Sequence, residues 1–347
     1  MKTLFLAGGL GTRLRPMTNE LPKPMVPIMG RPLLERIVEN LKMHGVDEII
    51  ISTCYKSHKI KDYFGDGKKF GVKINYITED MPLGTAGAIK NAEEFFDDTF
   101  IVLNADILSD IDISDMIHFH KEKGALATIA ATRVENPSAY GVIECDADGY
   151  ISAFKEKPQP GESDSNLINA GVYIFEPELI KEIPDGKVVS IEMETYPLLL
   201  EKGYKLAVYH KCSYWLDIGT CKKYLAVHKD ILCGNFSIGS LDFKSGRSYI
   251  DKTARIHQNA KILEPVYIGE HAEIGDMAVI GPNTVLCGNS FVGAGAKIVG
   301  SIVWNNVNVG RGSMIVNSII MSNCIIDRYT EEYNAILTGN SRHPMAV

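Results

Sequence analysis

Thr3-Leu4-Phe5-Leu6-Ala7-Gly8-Gly9-Leu10-Gly11-Thr12-Arg13 lies at the N-terminus of the chain, and Leu14-Arg15-Pro16 through Pro22-Lys23-Pro24 completes the segment that decides the fold. Residues 3–7 form an apolar run of strand length that stops in glycine. A strand ended this way turns backbone N–H groups toward a ligand without obstruction by Cβ. Arg13, Arg15 and Lys23 add three cations, and the prolines on both sides of Lys23 restrict the backbone and fix the direction of its amine. Glycines that approach a phosphate chain and cations that neutralise it are what polyphosphate chemistry requires. The segment is neither the Gly-x-Gly-x-x-Gly of dinucleotide folds nor a Walker A loop, which ends in Gly-Lys-Ser/Thr.

Working outward, strand-like and helix-like segments alternate through the first two-thirds of the chain. Strands are predicted at 3–7, 48–53, 72–77, 99–104, 126–132 and 171–175. Apolar residues at three- and four-residue spacing predict helices over 33–45, 86–96 and 114–123. The alternation predicts a Rossmann-like α/β domain with a mixed, mostly parallel sheet. Ligands in such sheets lie beyond the carboxyl ends of the strands, where Gly8–Arg15 and Asp106 fall. Asp146-Ala147-Asp148-Gly149 between two apolar runs reads as a hairpin turn, and 158–165 as an exposed loop.

The last third is different. An aliphatic residue recurs every sixth position at Ile250, Ile256, Ile262, Ile268, Ile274, Ile280, Leu286, Val292 and Ile298, slips by one at Val303, and resumes at Val309 and Ile315. Small residues follow four positions later, as at Ala254, Ala272, Thr284 and Ser290. Hexapeptide periodicity marks a parallel β-helix whose stacked coils complete one core. The organisation read from these patterns is a first domain over 1–233, a linker over 234–248, a β-helix over 249–327 and an unassigned tail over 328–347.

Composition bounds the function. The 347 residues are 45% hydrophobic and 23% charged, an ordinary globular balance, with a formal net charge of −7. That charge argues against a nucleic-acid partner, so an anionic substrate must meet a local basic pocket. No apolar stretch reaches membrane-spanning length, and Gly8-Gly9 interrupts the N-terminal run too early for a signal peptide. The seven cysteines show no Cys-x-x-Cys pair and read as reduced, mostly buried thiols of a cytoplasmic protein. None has the basic neighbourhood of a nucleophile.

Individual residues carry two readings each. Asp106 closes an apolar strand and can ligate a hard cation such as Mg²⁺, or it can cap the turn with Ser109 and Asp110. Lys157 is either a phosphate clamp or half of a surface pair with Glu156. Asn169 with Gly171 suits sugar hydroxyls, or a turn entering the next strand. His118 and His120 read as surface groups, and His257 and His271 as structural residues of the solenoid rather than an acyltransferase base.

The stretch Gly8–Pro27 resembles the signature of the sugar-1-phosphate nucleotidylyltransferases, also called nucleotide-diphospho-sugar pyrophosphorylases. Pro82-Leu83-Gly84-Thr85-Ala86-Gly87, Leu103-Asn104-Ala105-Asp106, Tyr140-Gly141-Val142, Glu156-Lys157-Pro158, Asn169-Ala170-Gly171 and Trp215-Leu216-Asp217-Ile218-Gly219 extend the likeness over most of the chain. The resemblance implies a left-handed hand for the C-terminal β-helix. It implies that Leu6, Ala7, Gly8, Gly9, Gly11, Thr12, Arg13, Gly84, Thr85 and Asn104 hold the nucleotide. It also implies that Lys23, Gly141, Glu156, Lys157, Asn169 and Gly171 hold the sugar phosphate, and that Asp106 and Asp217 share Mg²⁺. It implies that the chemical work falls to Arg13, Lys23, Asp106 and Lys157, with no protein nucleophile. Gly84-Thr85-Ala86-Gly87 and Ser190-Ile191-Glu192 look like the mannose-1-phosphate guanylyltransferases, which implies GTP and mannose 1-phosphate as substrates. The other family activities implied are thymidylyl or uridylyl transfer to glucose 1-phosphate and guanylyl transfer to heptose 1-phosphate. A regulatory subunit that only senses nucleotide sugar is a reading of another class, set against the intact Gly11, Thr12, Arg13 and Lys23. The solenoid suggests a homo-oligomer, since its open end exposes strand edges.

Overall fold

The apolar N-terminal run becomes the Lys2–Ala7 strand, flanked on both sides by parallel neighbours, Glu48–Thr53 and Phe100–Asn104. Leu4 and Phe5 are adjacent in sequence yet both fully buried, as expected of a strand covered on both faces. The computed structural model describes residues 1–347 apart from 160, 240, 242, 244–247, 340, 346 and 347, so part of the expected linker lies outside the described residues. The described chain forms two units. One comprises Met1–Leu10, Pro22–Pro24 and Ile37–Asp217, the other Gly11–Leu21, Met25–Arg36 and Ile218–Val347.

The first unit is built on a mixed sheet in the order Ile151–Glu156, Gly141–Cys145, Leu167–Phe175, Phe100–Asn104, Lys2–Ala7, Glu48–Thr53, Lys73–Thr78. Leu167–Phe175 is the long antiparallel member and also pairs with Ala127–Arg133, which in turn carries Leu206–Tyr209 in parallel. The core gathers Leu4, Phe100, Val102, Ile129, Phe175 and Tyr196, with Phe96 stacked on Phe100 at 4.0 Å between ring centres. Burying a side chain of this size contributes about 1.5–3 kcal/mol. The Ile113–Lys123 helix begins at Asp112, whose carboxylate accepts the Asp115 N–H, and turns Ile113, Met116 and His120 inward.

His120 corrects the surface reading given to it. It is 1% exposed, and its ring nitrogens bond to Thr128 Oγ1 at 2.7 Å and Glu176 Oε1 at 3.0 Å. His118 on the same helix is exposed, as its sequence suggests. The thiols also differ from the mostly buried expectation. Cys221, Cys287 and Cys324 are buried, Cys54 and Cys212 are half-buried, and Cys145 and Cys233 are exposed.

In the second unit the hexads stack as three parallel sheets. Ile268 pairs with Leu286, eighteen residues on, and Leu286 with Val303, seventeen on. The slip at Val303 is therefore a shortened coil, repeated at Ile320 and Leu337. The tail belongs to the solenoid: Glu331–Tyr333 and Ala335–Thr338 continue it, and Ser341–Pro344 folds back antiparallel on the last strand. Glu332 occupies the aliphatic position after Ile315, and Arg342 pairs with it at 2.7 Å, ending the apolar stack with a charge already satisfied.

One solenoid sheet is covered on its outer side. Val285, Ile302, Ile319 and Ile336 lie side by side and are all buried. The Cys221–Leu232 helix belongs to the same unit and buries Tyr224, Val227, His228 and Ile231. Trp304 Nε1 donates to Tyr224 Oη at 2.9 Å, and Tyr224 Oη donates to the Pro27 carbonyl at 2.6 Å. His228 accepts the Met29 N–H on Nε2 and donates from Nδ1 to the Tyr224 carbonyl. Complete burial pushes its pKa down to about 4, so it is neutral at physiological pH. Among the described residues no helix is long and apolar enough to cross a membrane.

Candidate active site

Three adjacent parallel strands of the first unit, Lys2–Ala7, Glu48–Thr53 and Phe100–Asn104, end together, and their carboxyl ends carry Gly8, Cys54 and Asp106 within a residue or two. Leu6 stands beside Asn104 in the ladder, and the Ala105 N–H bonds to the Leu6 carbonyl. A Cβ added to Gly9 would meet nothing within 4 Å, and its φ is not positive. Gly9 is exposed, and among the described residues no neighbour demands a glycine there, so its backbone stays open to approach. Next to it, a Cβ on Gly8 would lie 3.4 Å from Glu79 Oε1. Glu79 is buried, accepts from Ser52 Oγ and the Leu83 N–H, and so ties the strand edge to the residue that precedes the Gly84–Lys90 helix. Nothing in the sequence distinguishes it from a surface acid.

Lys23 sits in a short Lys23–Met25 turn and is only 9% exposed. Its ammonium lies 2.5 Å from Asp106 Oδ2 and 3.3 Å from Asp217 Oδ1. Asp217 reaches this point through a two-stranded antiparallel ladder in which it stands opposite Ile107, with Trp215 opposite Ser109. Trp215 Nε1 donates to the Ala170 carbonyl at 2.9 Å and anchors the ladder. Two carboxylates and one cation thus converge from three distant parts of the chain.

Gly171 supports the same region. Its φ is +70°, and a Cβ there would fall 2.3 Å from Ile107 Cδ1 and 2.7 Å from Asn104 Nδ2. What the glycine admits is therefore the Asn104 amide and the Ile107 side chain. Asn169 accepts the Gly171 N–H on Oδ1 and donates to Tyr173 Oη at 2.9 Å. Burial holds the Tyr173 phenol well above its ordinary range, so it stays neutral.

A second acidic region surrounds Glu192, which the motif reading did not select as a site residue. Thr85 Oγ1 donates to it at 3.0 Å and Ser190 Oγ at 3.1 Å, while the Ile191 N–H donates to Thr85 Oγ1. Burial raises the Glu192 pKa, and the Glu156 charge raises it further. Glu192 lies in the π-helical turn Ile191–Thr195, and such turns recur at functional sites. The quoted Ser190-Ile191-Glu192 was the available signal. The Val189 carbonyl accepts from the Ala86 and Gly87 N–H groups, which fixes the start of the Gly84–Lys90 helix.

Glu156 and Lys157 pair with each other at 3.1 Å. Gly141 faces Glu156, since a Cβ there would come within 2.8 Å of its Oε2. The Lys157 side chain is 65% exposed, and its φ of +47° is unusual for lysine. A residue in this region costs about 1–3 kcal/mol, and Lys56 adopts it too, at φ +50°. Gly11, Thr12 and Arg13 lie in the second unit, where Thr12–Leu14 forms a single 3₁₀ turn and Thr18 Oγ1 donates to the Gly11 carbonyl.

Among the described residues no three His, Cys, Asp or Glu side chains cluster as a closed metal site. Asp106 and Asp217 nevertheless fit a divalent cation. Both are hard oxygen donors already turned on one cationic point, and their side chains remain 34% and 17% exposed. Two carboxylates with space for waters and phosphate oxygens is the usual provision for Mg²⁺ at a phosphate site.

Comparison with known proteins bears on the chain as a whole. The family described as nucleotidyl transferase matches residues 2–233, and the one described as GMPPB C-terminal domain matches residues 262–342. A UTP–glucose-1-phosphate uridylyltransferase from Synechocystis is 35% identical, covering 88% of this chain and 87% of its own. A mannose-1-phosphate guanylyltransferase from Mycobacterium tuberculosis is 36% identical over 77% of this chain and 74% of its own. The crystal structure of HddC from Yersinia pseudotuberculosis complexed with GMP-PN matches with a TM-score of 0.55 and 33% identity, covering 65% of this chain and 96% of that one.

Proposed function

The chain belongs to the nucleotidyl transferase family, and from that premise we propose that it joins a nucleoside triphosphate to a sugar 1-phosphate with release of pyrophosphate, using GTP and mannose 1-phosphate. The observation that carries the reading is the convergence of Lys23 with Asp106 and Asp217 beside the glycine-ended strand. The guanine preference is supported by the printed names of several relatives, mannose-1-phosphate guanylyltransferases among them, and by the match to the GMPPB C-terminal domain.

In the proposed reaction a phosphate oxygen of the sugar 1-phosphate attacks the α-phosphorus of the triphosphate in line. The bond from the α-phosphorus to the bridging oxygen breaks, and pyrophosphate departs with that electron pair. The protein forms no covalent bond, so its contribution is positioning and charge. Gly8 and Gly9, with Gly11, Thr12 and Arg13, are assigned to the triphosphate, and Lys23 with Lys157 to the attacking phosphate. Such cations offset the repulsion between two anionic substrates. Glu156, Asn169 and Glu192 supply acceptors and an amide for sugar hydroxyls. Mg²⁺ held by Asp106 and Asp217 would neutralise and orient phosphate oxygens. The thiol distribution suits a cytoplasmic setting, and the solenoid suits subunit assembly.

The experiment is a matrix of four nucleoside triphosphates against mannose, glucose and heptose 1-phosphates with Mg²⁺, read as pyrophosphate release. GTP with mannose 1-phosphate is expected to be fastest. Faster turnover of UTP with glucose 1-phosphate would favour the second reading, supported by the Synechocystis relative that aligns over most of the chain. No release from any pair would remove the function.

A further inference from the structure

We propose that Lys23 and the divalent cation are alternative occupants of the Asp106–Asp217 carboxylate pair, so that loading the cation releases Lys23 toward phosphate. The ammonium contacts one oxygen of each aspartate, at 2.5 and 3.3 Å, and is nearly buried there. A divalent cation bound by the same carboxylates requires oxygens at about 2.0–2.1 Å for Mg²⁺. An ammonium in contact with both carboxylates stands on or beside that position. Two positive charges at contact distance repel strongly. The carboxylates therefore hold one or the other closely.

The exchange changes the charge presented to a substrate. With Lys23 in place, the two aspartates and the lysine carry a formal charge of minus one. With a divalent cation on the carboxylates and Lys23 freed, the same group carries plus one. The backbone of Lys23 lies in a 3₁₀ turn between Pro22 and Pro24, so the displaced ammonium moves only by side-chain rotation. The natural destination of a desolvated ammonium beside a glycine-ended strand is an anion. The cation thus converts a self-neutralising cluster into an anion-binding one, and the free protein is left with weak affinity for the metal alone. This inference rests on the proposed function only in naming phosphate as the destination.

The test uses Mn²⁺ alone with the full chain, in the absence of nucleotide and sugar phosphate, following free Mn²⁺ by electron paramagnetic resonance. Lys23→Met is expected to bind one Mn²⁺ about tenfold more tightly than the unaltered protein, equivalent to about 1.4 kcal/mol. Lys23→Arg keeps a cation on the pair and is expected to retain weak binding. Adding Asp106→Asn to Lys23→Met is expected to abolish the gain. Equal or weaker binding by Lys23→Met overturns the proposal, as does a gain that survives Asp106→Asn. A second measurement uses the unaltered protein: amine-reactive labelling mapped by mass spectrometry should increase at Lys23 on saturation with Mn²⁺. Unchanged or reduced labelling also overturns the exchange. Neither readout involves turnover, so a failed substrate matrix would remove the function and leave this result standing.

Discussion

Asp217 stands opposite Ile107, the residue immediately after Asp106, in an antiparallel ladder of three residue pairs. That register brings together two carboxylates 111 positions apart in the sequence, which would otherwise repel each other. Lys23 compensates from a third segment. The site is thus held by a local ladder and a shared cation, and its charges can be altered without touching the main sheet.

Asp106→Asn and Asp217→Asn test that separation. Each is expected to lower the rate of pyrophosphate release by about 100-fold or more, the usual loss when a group stabilising transition-state charge is removed. Stability should change only modestly, because in each variant Lys23 keeps the other aspartate as its partner. A variant with near-normal turnover at saturating Mg²⁺ would remove the assignment of these carboxylates to the metal.

Gly171→Ala probes the support behind the carboxylates. The new methyl group would enter the space of Ile107 Cδ1 and Asn104 Nδ2 at a positive φ. Overpacking costs about 1–3 kcal/mol, to which the left-handed backbone adds a further increment. Chemical denaturation should show this loss, and turnover should fall because Ile107 faces Asp217. Unaltered stability would mean that the strand relaxes around the methyl.

Local patterns explain which features were legible. The hexads and the Gly8–Pro24 segment repeat or cluster within a few residues, so the β-helix and the glycine-ended strand could be read directly. The Trp215–Asp217 ladder could not, because neither of its three-residue strands has a periodicity and their pairing spans more than 100 positions. The tail carries no aliphatic signal because its inward position after Ile315 is Glu332, a charge that pairs with Arg342. His120 was misread as a surface group although it shares a helix face with Ile113 and Met116. Its polarity concealed a position that the spacing marked as buried. Glu79 and Glu192 gain their roles from Gly8, Leu83 and Thr85, which only the fold brings near.

His228 predicts a specific pH dependence. Its folded-state pKa of about 4 lies below the ordinary 6.5, because burial disfavours the charged ring. The unfolded chain therefore binds the proton more readily. The contribution is fully present above pH 6.5 and is lost as pH falls toward 4, amounting to about 3 kcal/mol in total. Carboxylates also titrate there, so the measurement is a comparison with His228→Gln. That variant should be less stable at pH 7 yet lose less between pH 6.5 and 4.5. Parallel curves for the two proteins would contradict the assignment.

Tyr224→Phe tests how the Cys221–Leu232 helix is fastened within its unit. The hydroxyl accepts from Trp304 Nε1 and donates to the Pro27 carbonyl, so its removal leaves a buried indole N–H and a half-buried carbonyl without their partner. The buried orphaned N–H costs about 1–3 kcal/mol, and the lost bond to the half-buried carbonyl about 1 kcal/mol net. The expected loss is therefore about 2–4 kcal/mol by denaturant titration. Trp304→Phe removes only the donor from one bond, leaving the tyrosine to bond to Pro27, but it also reduces the volume of a fully packed site. In the double variant the unpaired indole N–H is gone, so the two losses should sum to less than their separate values. Strict additivity would show that Tyr224 and Trp304 act independently, and that the hydrogen-bond relay does not fasten the helix.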